Sequence, residues 1–174
     1  MLYGRTEGSY LPISTENRKV MTRTEEVELT NMCMICDGRG NVLVQDKKNH
    51  PTWRGWNFPG GHVEPGEYVT PSVIREMREE TGLTIHDPKL CGIKEFHRSK
   101  DGKRYIVFLY VAREFTGELR PSGEGEVFWY PLADLEKSDK LIPGFKEMLP
   151  VFTQENFSEV FYLGKGSGWE TVTM

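Results

Sequence analysis

Three glutamates in the stretch "REMREE", Glu76, Glu79 and Glu80, stand at spacings i, i+3 and i+4. On a helix turning ~100° per residue these positions are surface neighbours sharing one arc about 100° wide. Val73, Ile74 and Met77 fall on a second arc, suited to a core, and Arg75 and Arg78 lie off the acidic one. Adjacent like charges on a helix cost up to about 0.5 kcal/mol per pair, a cost that a bound divalent cation would reverse. Carboxylate oxygens at this spacing suit hard ions such as Mg²⁺ or Mn²⁺. A Glu-rich face is equally the face of an ordinary solvated helix, and the three residues alone do not separate the two.

The segment that must present them is well punctuated. Thr70 reads as an N-cap, Pro71 as the first helical residue and Gly82 as the stop. Upstream, "VELTNMCMI" and "NVLVQDK" are strand-like runs around the turn "CDGRG", and "NHPTWRGWNFPGG" is a Gly/Pro-containing loop. Downstream, "KLCGIKEFHR" and "KRYIVFLYVAREF" flank the turn "SKDGK", and "GEVFWYPL" supplies another strand. A second helix is expected near "PGFKEMLPVF", interrupted by Pro150, and the tail has hairpin character around "GKGSG". The expectation is one α/β domain with a mixed sheet and about two helices. Residues 1–24 are polar and poorly periodic, and Met21 reads as a natural start. This predicts an N-terminal arm or extension over 1–24 and a single domain over 25–174.

At 174 residues the chain is long enough to bury a core, with 37% hydrophobic and 28% charged residues. A net charge of −4 and a pI near 5.7 give no electrostatic footprint for polymeric nucleic acid or an anionic membrane. No apolar run approaches the roughly 18 residues of a membrane span, and no signal core opens the chain. A cytoplasmic protein, monomer or homodimer, acting on a small molecule is the expectation. Three cysteines argue against a disulfide framework. Cys33 and Cys36 form a C-x-x-C, but on a strand positions i and i+3 point to opposite faces, so they read as structural thiols.

Spacing ahead of the acidic helix sharpens the reading. Gly61, five residues, Glu67, seven residues, Arg75-Glu76, then Glu79-Glu80, Gly82 and Leu83 resemble, position by position, the signature of the Nudix hydrolases, G-x5-E-x7-R-E-U-x-E-E-x-G-U with U a bulky apolar residue. Seven identities at fixed offsets arise by chance at a given start roughly once in 10⁸. Met77 is a loose occupant of the first U, and "PS" at 71–72 replaces the small alanines often found there. "WNFPGG" also resembles the family's approach to this box.

The resemblance implies a Nudix fold over about residues 27–155, an α/β/α sandwich with a mixed β-sheet, and cleavage of nucleoside diphosphates linked to another group. It implies that Glu76, Glu79 and Glu80, with the Gly61 carbonyl, hold one to three Mg²⁺ ions, that Glu67 pairs with Arg75, and that the glutamates help to activate water. A further carboxylate from outside the box, Glu124 or Glu126 in "PSGEGEVFW", is a candidate base or extra ligand. The compact size most resembles MutT-like triphosphate pyrophosphohydrolases acting on oxidised purines such as 8-oxo-dGTP. Asn57 stands where some of these enzymes read the base edge, and an amide offers both donor and acceptor. Trp53, Trp56 or Phe58 could stack on the ring, although residues of this kind more often serve in packing. The alternatives are another dinucleotide or nucleotide-sugar diphosphate, or a non-catalytic nucleotide sensor. Sensors usually lose glutamates from the box, and this chain keeps all of them.

Overall fold

The computed structural model describes residues 24–48, 54–98, 101–165 and 168–174. Its centre is a five-stranded mixed sheet in the order β1 (Val27–Ile35), β6 (Arg104–Ala112), β5 (Lys89–His97), β9 (Glu159–Lys165) and β10 (Gly168–Thr173). β1 runs parallel to β6 and β5 parallel to β9, while the β5–β6 and β9–β10 pairs are antiparallel. Two smaller antiparallel sheets accompany it. One is β3 (Trp56–Asn57), β2 (Asn41–Asp46) and β8 (Glu126–Pro131); the other pairs β4 (Leu83–His86) with β7 (Glu114–Gly117).

Strand alternation sends successive side chains to opposite faces, and each face is covered by a helix. Met32, Met34, Val107, Leu109 and Val160 pack with Phe145, Met148, Leu149 and Phe152 of α3 (Phe145–Thr153). Cys33, Ile35, Tyr110 and Ala112 pack with Val73 and Met77 of α1 (Val69–Thr81). The result is an α/β/α sandwich, with a short α2 (Leu132–Leu135) between β8 and α3. Cys33 is fully buried on the α1 side, whereas Cys36 is half-buried against the α3-side core. Burial holds the Cys33 thiol well above its ordinary range, with Cys36 and Cys91 adding to the effect. The C-x-x-C is structural on this geometry.

Two helix details depart from the sequence reading. α1 starts earlier than expected: Tyr68 is the N-cap and makes no side-chain capping bond. Thr70 is instead inside the first turn, its Oγ1 sharing a 3.0 Å hydrogen bond with the Tyr110 hydroxyl, a partner 40 residues away. Pro71 follows within the first turn, where a missing N–H costs nothing. Gly82 does end the helix, in the left-handed region at φ 77, its N–H donating to the Arg78 carbonyl at 3.1 Å. Pro150 does not interrupt α3, which runs through it to Thr153. The carbonyl that loses its helical partner belongs to Lys146, an exposed residue. Among the described residues no helix is long and apolar enough to cross a membrane.

The loop between β3 and α1 covers the free edge of β1. Asn31 N–H donates to the Gly61 carbonyl at 2.8 Å, Cys33 N–H to Pro59 at 3.0 Å, and Val63 N–H to Leu29 at 2.9 Å. This ladder fixes Gly60 and Gly61 between β1 and α1. A Cβ on Gly60 would strike the Asn31 carbonyl, and one on Gly61 would strike the Glu76 carboxylate. At Gly60 the obstacle is backbone, so space requires glycine there; at Gly61 it is the end of a side chain, which can turn away.

Candidate active site

Arg75 organises the acidic helix. Its Nε and Nη2 donate to the two Glu67 oxygens at 2.9 and 2.8 Å, a bidentate pair. Nη2 also donates to the His62 carbonyl at 3.0 Å, and Nη1 donates to Glu76 at 2.8 Å and Glu79 at 3.1 Å. All five guanidinium donors are engaged. Arg75 therefore reaches over the acidic arc that helical geometry alone placed it beside. The bonds from Arg75 hold the Glu67 carboxyl below its ordinary range. That pair ties the loop to the first turns of α1, and Glu67 also accepts from Glu64 N–H at 3.1 Å.

The three glutamates are not equivalent. Glu76 is largely covered, at 12% side-chain exposure, against the bare backbone of Gly61. Glu79 is 54% exposed. Glu80 turns inward and is 3% exposed, one oxygen accepting the Gly60 N–H at 2.9 Å and the other, Oε1, without a hydrogen-bond partner. Burial pushes the Glu80 carboxyl above its ordinary range; Lys47 opposes this, and the neighbouring Glu124 carboxylate reinforces it. Lys47 stands beside the pair, its Nζ 3.8 Å from Glu124. Glu126, the other carboxylate of that loop, points elsewhere, 70% exposed and paired to Lys48 at 2.8 Å.

A cavity of about 680 Å³ opens on this wall, where Arg75, Glu76, Glu79, Gly61, Lys47 and Glu124 meet it. Its floor is the α3-side face of the large sheet. Register aligns Lys94 of β5 with Val107 of β6, and Val107 with Thr30 of β1, and all three line the cavity. Phe96 and Tyr105 lie on the same floor, stacked with centroids 5.0 Å apart and planes 26° apart. Asn57 completes the lining, 8% exposed, with an Oδ1 that has no hydrogen-bond partner.

Of the residues read from sequence, Arg75, Glu76, Glu79, Gly61, Glu124 and Asn57 line the cavity, with Glu67 and Glu80 behind them, bonded to Arg75 and to the Gly60 N–H. The other proposed base-stacking rings do not. Phe58 is fully buried, edge-on to Phe145 and Phe152 at 4.9 and 5.1 Å, so it presents no face to a ligand. Trp56 is 9% exposed and packs edge-on against Phe128 and Tyr130, each at 5.0 Å. Trp53 lies outside the described residues. The aromatic surface that reaches the cavity is Phe96 and Tyr105, which sequence reasoning missed along with Lys47 and Lys94. The signal was present as period-2 pairs, Lys94/Phe96 and Tyr105/Val107, in two recognised strands.

The donor set fits a divalent cation in chemistry. All ligands are hard oxygens, Glu80 Oε1 is an orphaned buried carboxylate oxygen, and the Gly61 carbonyl keeps a second lone pair beside its bond to Asn31. The carboxylates are not gathered in advance: among the described residues no cluster of three His, Cys, Asp or Glu side chains is set to hold an ion. Glu76 and Glu79 are turned toward Arg75, and engaging an ion requires them to reorient.

A model of the NUDIX domain matches residues 28–152. The "Uncharacterized Nudix hydrolase YvcI" of Bacillus subtilis is 42% identical over 113 residues, covering 62% of this chain and 68% of that protein. The human "8-oxo-dGDP phosphatase NUDT18" is 32% identical over 100 residues, covering 54% of this chain but only 29% of its own length. Among solved structures, a MutT protein from Bacillus halodurans superposes with a TM-score of 0.68 at 25% identity, covering 83% of this chain and 97% of the other.

Proposed function

The chain belongs to the Nudix hydrolase family, and from that premise we propose that it is a Mg²⁺-dependent pyrophosphohydrolase of purine nucleoside triphosphates, oxidised purines such as 8-oxo-dGTP included, releasing the monophosphate and pyrophosphate. One observation carries the reading. A single cavity joins a carboxylate wall flanked by Arg75 and Lys47 to an aromatic floor and an amide with an unpartnered oxygen. Charged groups at one end suit phosphates, and a flat ring surface with a donor–acceptor edge at the other suits a base.

Within this reading Glu76, Glu79 and Glu80, with the Gly61 carbonyl, would hold Mg²⁺, or Mn²⁺ in its place. Such an ion, when bound, supplies neutralisation of phosphate oxygens and acidification of water. The chain's own residues do the rest. The Glu67–Arg75 pair braces the loop against α1, so that Gly61 and Glu76 keep their close approach. Glu124, 63% exposed at the cavity mouth, takes the proton from the attacking water, and Lys47 beside it steadies the charge on the phosphates. Phe96 and Tyr105 support the base, and Asn57 presents its amide to the base edge.

A second reading has a specific basis in the NUDT18 relative, which is named for a diphosphate substrate. The experiment that separates the two measures kcat/KM for canonical and oxidised dNTPs and dNDPs, NADH, ADP-ribose and dinucleoside polyphosphates with Mg²⁺. The proposal expects the highest value on a purine triphosphate, with pyrophosphate as product. A highest value on a diphosphate, with orthophosphate released, favours the second reading. A highest value on a dinucleotide rejects both.

A further inference from the structure

Lys94 is an unusual floor for a pocket. It lies in the middle of β5, 4% exposed, between the β6 and β9 neighbours Val107 and Val160. Its ammonium sits 5.3 Å from the centre of the Tyr162 ring, contributed by the C-terminal hairpin, and within the field of Glu147 on α3. Tyr162 gains its place because Gly144, at the N-cap of α3, has no side chain to strike its hydroxyl. Burial lowers the Lys94 pKa to about 8, with Glu147 opposing the shift. A cation in that position is stabilised further by any acceptor that a ligand brings.

Sheet register places it away from the phosphate end. Crossing the sheet from the Gly61–His62 loop, the order is His62, Thr30, Val107, Lys94. Three steps at ~4.8 Å put the Lys94 backbone roughly 14 Å from that loop, on the far side of the floor from the α1 carboxylates. It stands beside Phe96, the ring proposed to carry the base.

We propose that Lys94 is a specificity-determining residue that selects 6-keto purines, guanine-type and hypoxanthine-type bases, over adenine. The proposal rests on the reading of this cavity as a nucleotide site. An ammonium is a donor only, with no acceptor to offer. Guanine, hypoxanthine and 8-oxoguanine all carry an O6 acceptor to which one lysine donates, N7 being a second acceptor in the unoxidised bases, while adenine places an amino donor where O6 stands. The amino hydrogens of adenine would face the ammonium, setting donor against donor where the keto base supplies an acceptor. Asn57, able to donate or accept, does not impose this choice by itself.

The test is calorimetric binding of GMP, IMP and AMP to the full chain without metal, for wild type, Lys94→Met and Lys94→Gln. The same three proteins are then assayed for turnover of GTP, ITP and ATP with Mg²⁺. Wild type is expected to bind GMP and IMP at least tenfold more tightly than AMP, the scale of one charged hydrogen bond. Lys94→Met brings the keto-to-amino ratio towards one, and Lys94→Gln, which retains a donor, falls between. Lys94→Met melts no lower than wild type if it merely removes a buried charge, and Lys94→Gln carries the test if it does. A wild-type preference for keto purines that Lys94→Met leaves unchanged overturns the assignment, as does a wild type that does not discriminate. Discriminating binding without hydrolysis of any nucleotide overturns the proposed activity while leaving Lys94 in its role. Hydrolysis with an unaltered ratio does the reverse.

Discussion

Glu79→Gln lowers turnover at least 10²-fold while the protein folds as before. Glu79 is 54% exposed and its one described bond is the 3.1 Å contact from Arg75, so an uncharged isostere removes less than about 1 kcal/mol of stability. What it removes is a negative charge facing the cavity, in the set proposed to hold the ion. The loss should therefore appear in kcat and in the Mg²⁺ concentration needed for half-activity, and not in the melting temperature. Near-normal activity at ordinary Mg²⁺ would show that Glu79 does not serve the metal.

Gly60→Ala acts through the fold and reaches the site indirectly. The new methyl would meet the carbonyl of Asn31 and the Cα of Met32, both backbone atoms of β1 held by the loop's own ladder. Neither side yields cheaply, so the expected destabilisation is about 3 kcal/mol, a fall in melting temperature on the order of 10 °C. The displaced Gly60 N–H loosens Glu80, which accepts from it at 2.9 Å, and turnover should drop about 10²-fold with it. Gly66→Ala is the control. Open space surrounds that residue and only its left-handed backbone, φ 82, opposes the change, so a cost of about 1–2 kcal/mol is expected. Equal melting temperatures for the two variants would remove the steric argument. Thermal unfolding of both, with activity measured alongside, decides it.

The loop–helix segment was legible in the sequence because its residues are close along the chain. Gly61, Glu67, Arg75 and the three glutamates are fixed relative to one another by one turn and one helix, so spacing alone carries their arrangement. Contacts from distant strands were not legible. Thr70 has the composition of a cap, yet the Tyr110 hydroxyl on β6 claims it. Arg75 projects off the acidic arc at its Cβ, but a long side chain leans back along the helix and its guanidinium bridges the arc.

The same limit explains the aromatic residues. Trp56 and Phe58 are adjacent in sequence to the box, and proximity suggested a role for them in stacking. Whether a ring faces a cavity or a core depends on which sheet face it occupies, which alternation gives only once the register is known. Phe96 and Tyr105 come from strands after the box, and it is the β5–β6 pairing that sets them side by side. The mixed sheet was expected from the strand order, whereas the two small sheets follow from pairings between β2 and β8 and between β4 and β7 that no local pattern announces.

The carboxylates of α1, with Glu124 beside them, are proposed to serve metal-dependent cleavage of a phosphoanhydride bond. The most direct test of that role is the initial rate of pyrophosphate release from a guanine-type nucleoside triphosphate, measured with Mg²⁺, with excess chelator and after Mg²⁺ is restored. Hydrolysis is expected to disappear with the chelator and to return with the ion. Hydrolysis at an undiminished rate in the chelator, with the protein intact, would contradict that role.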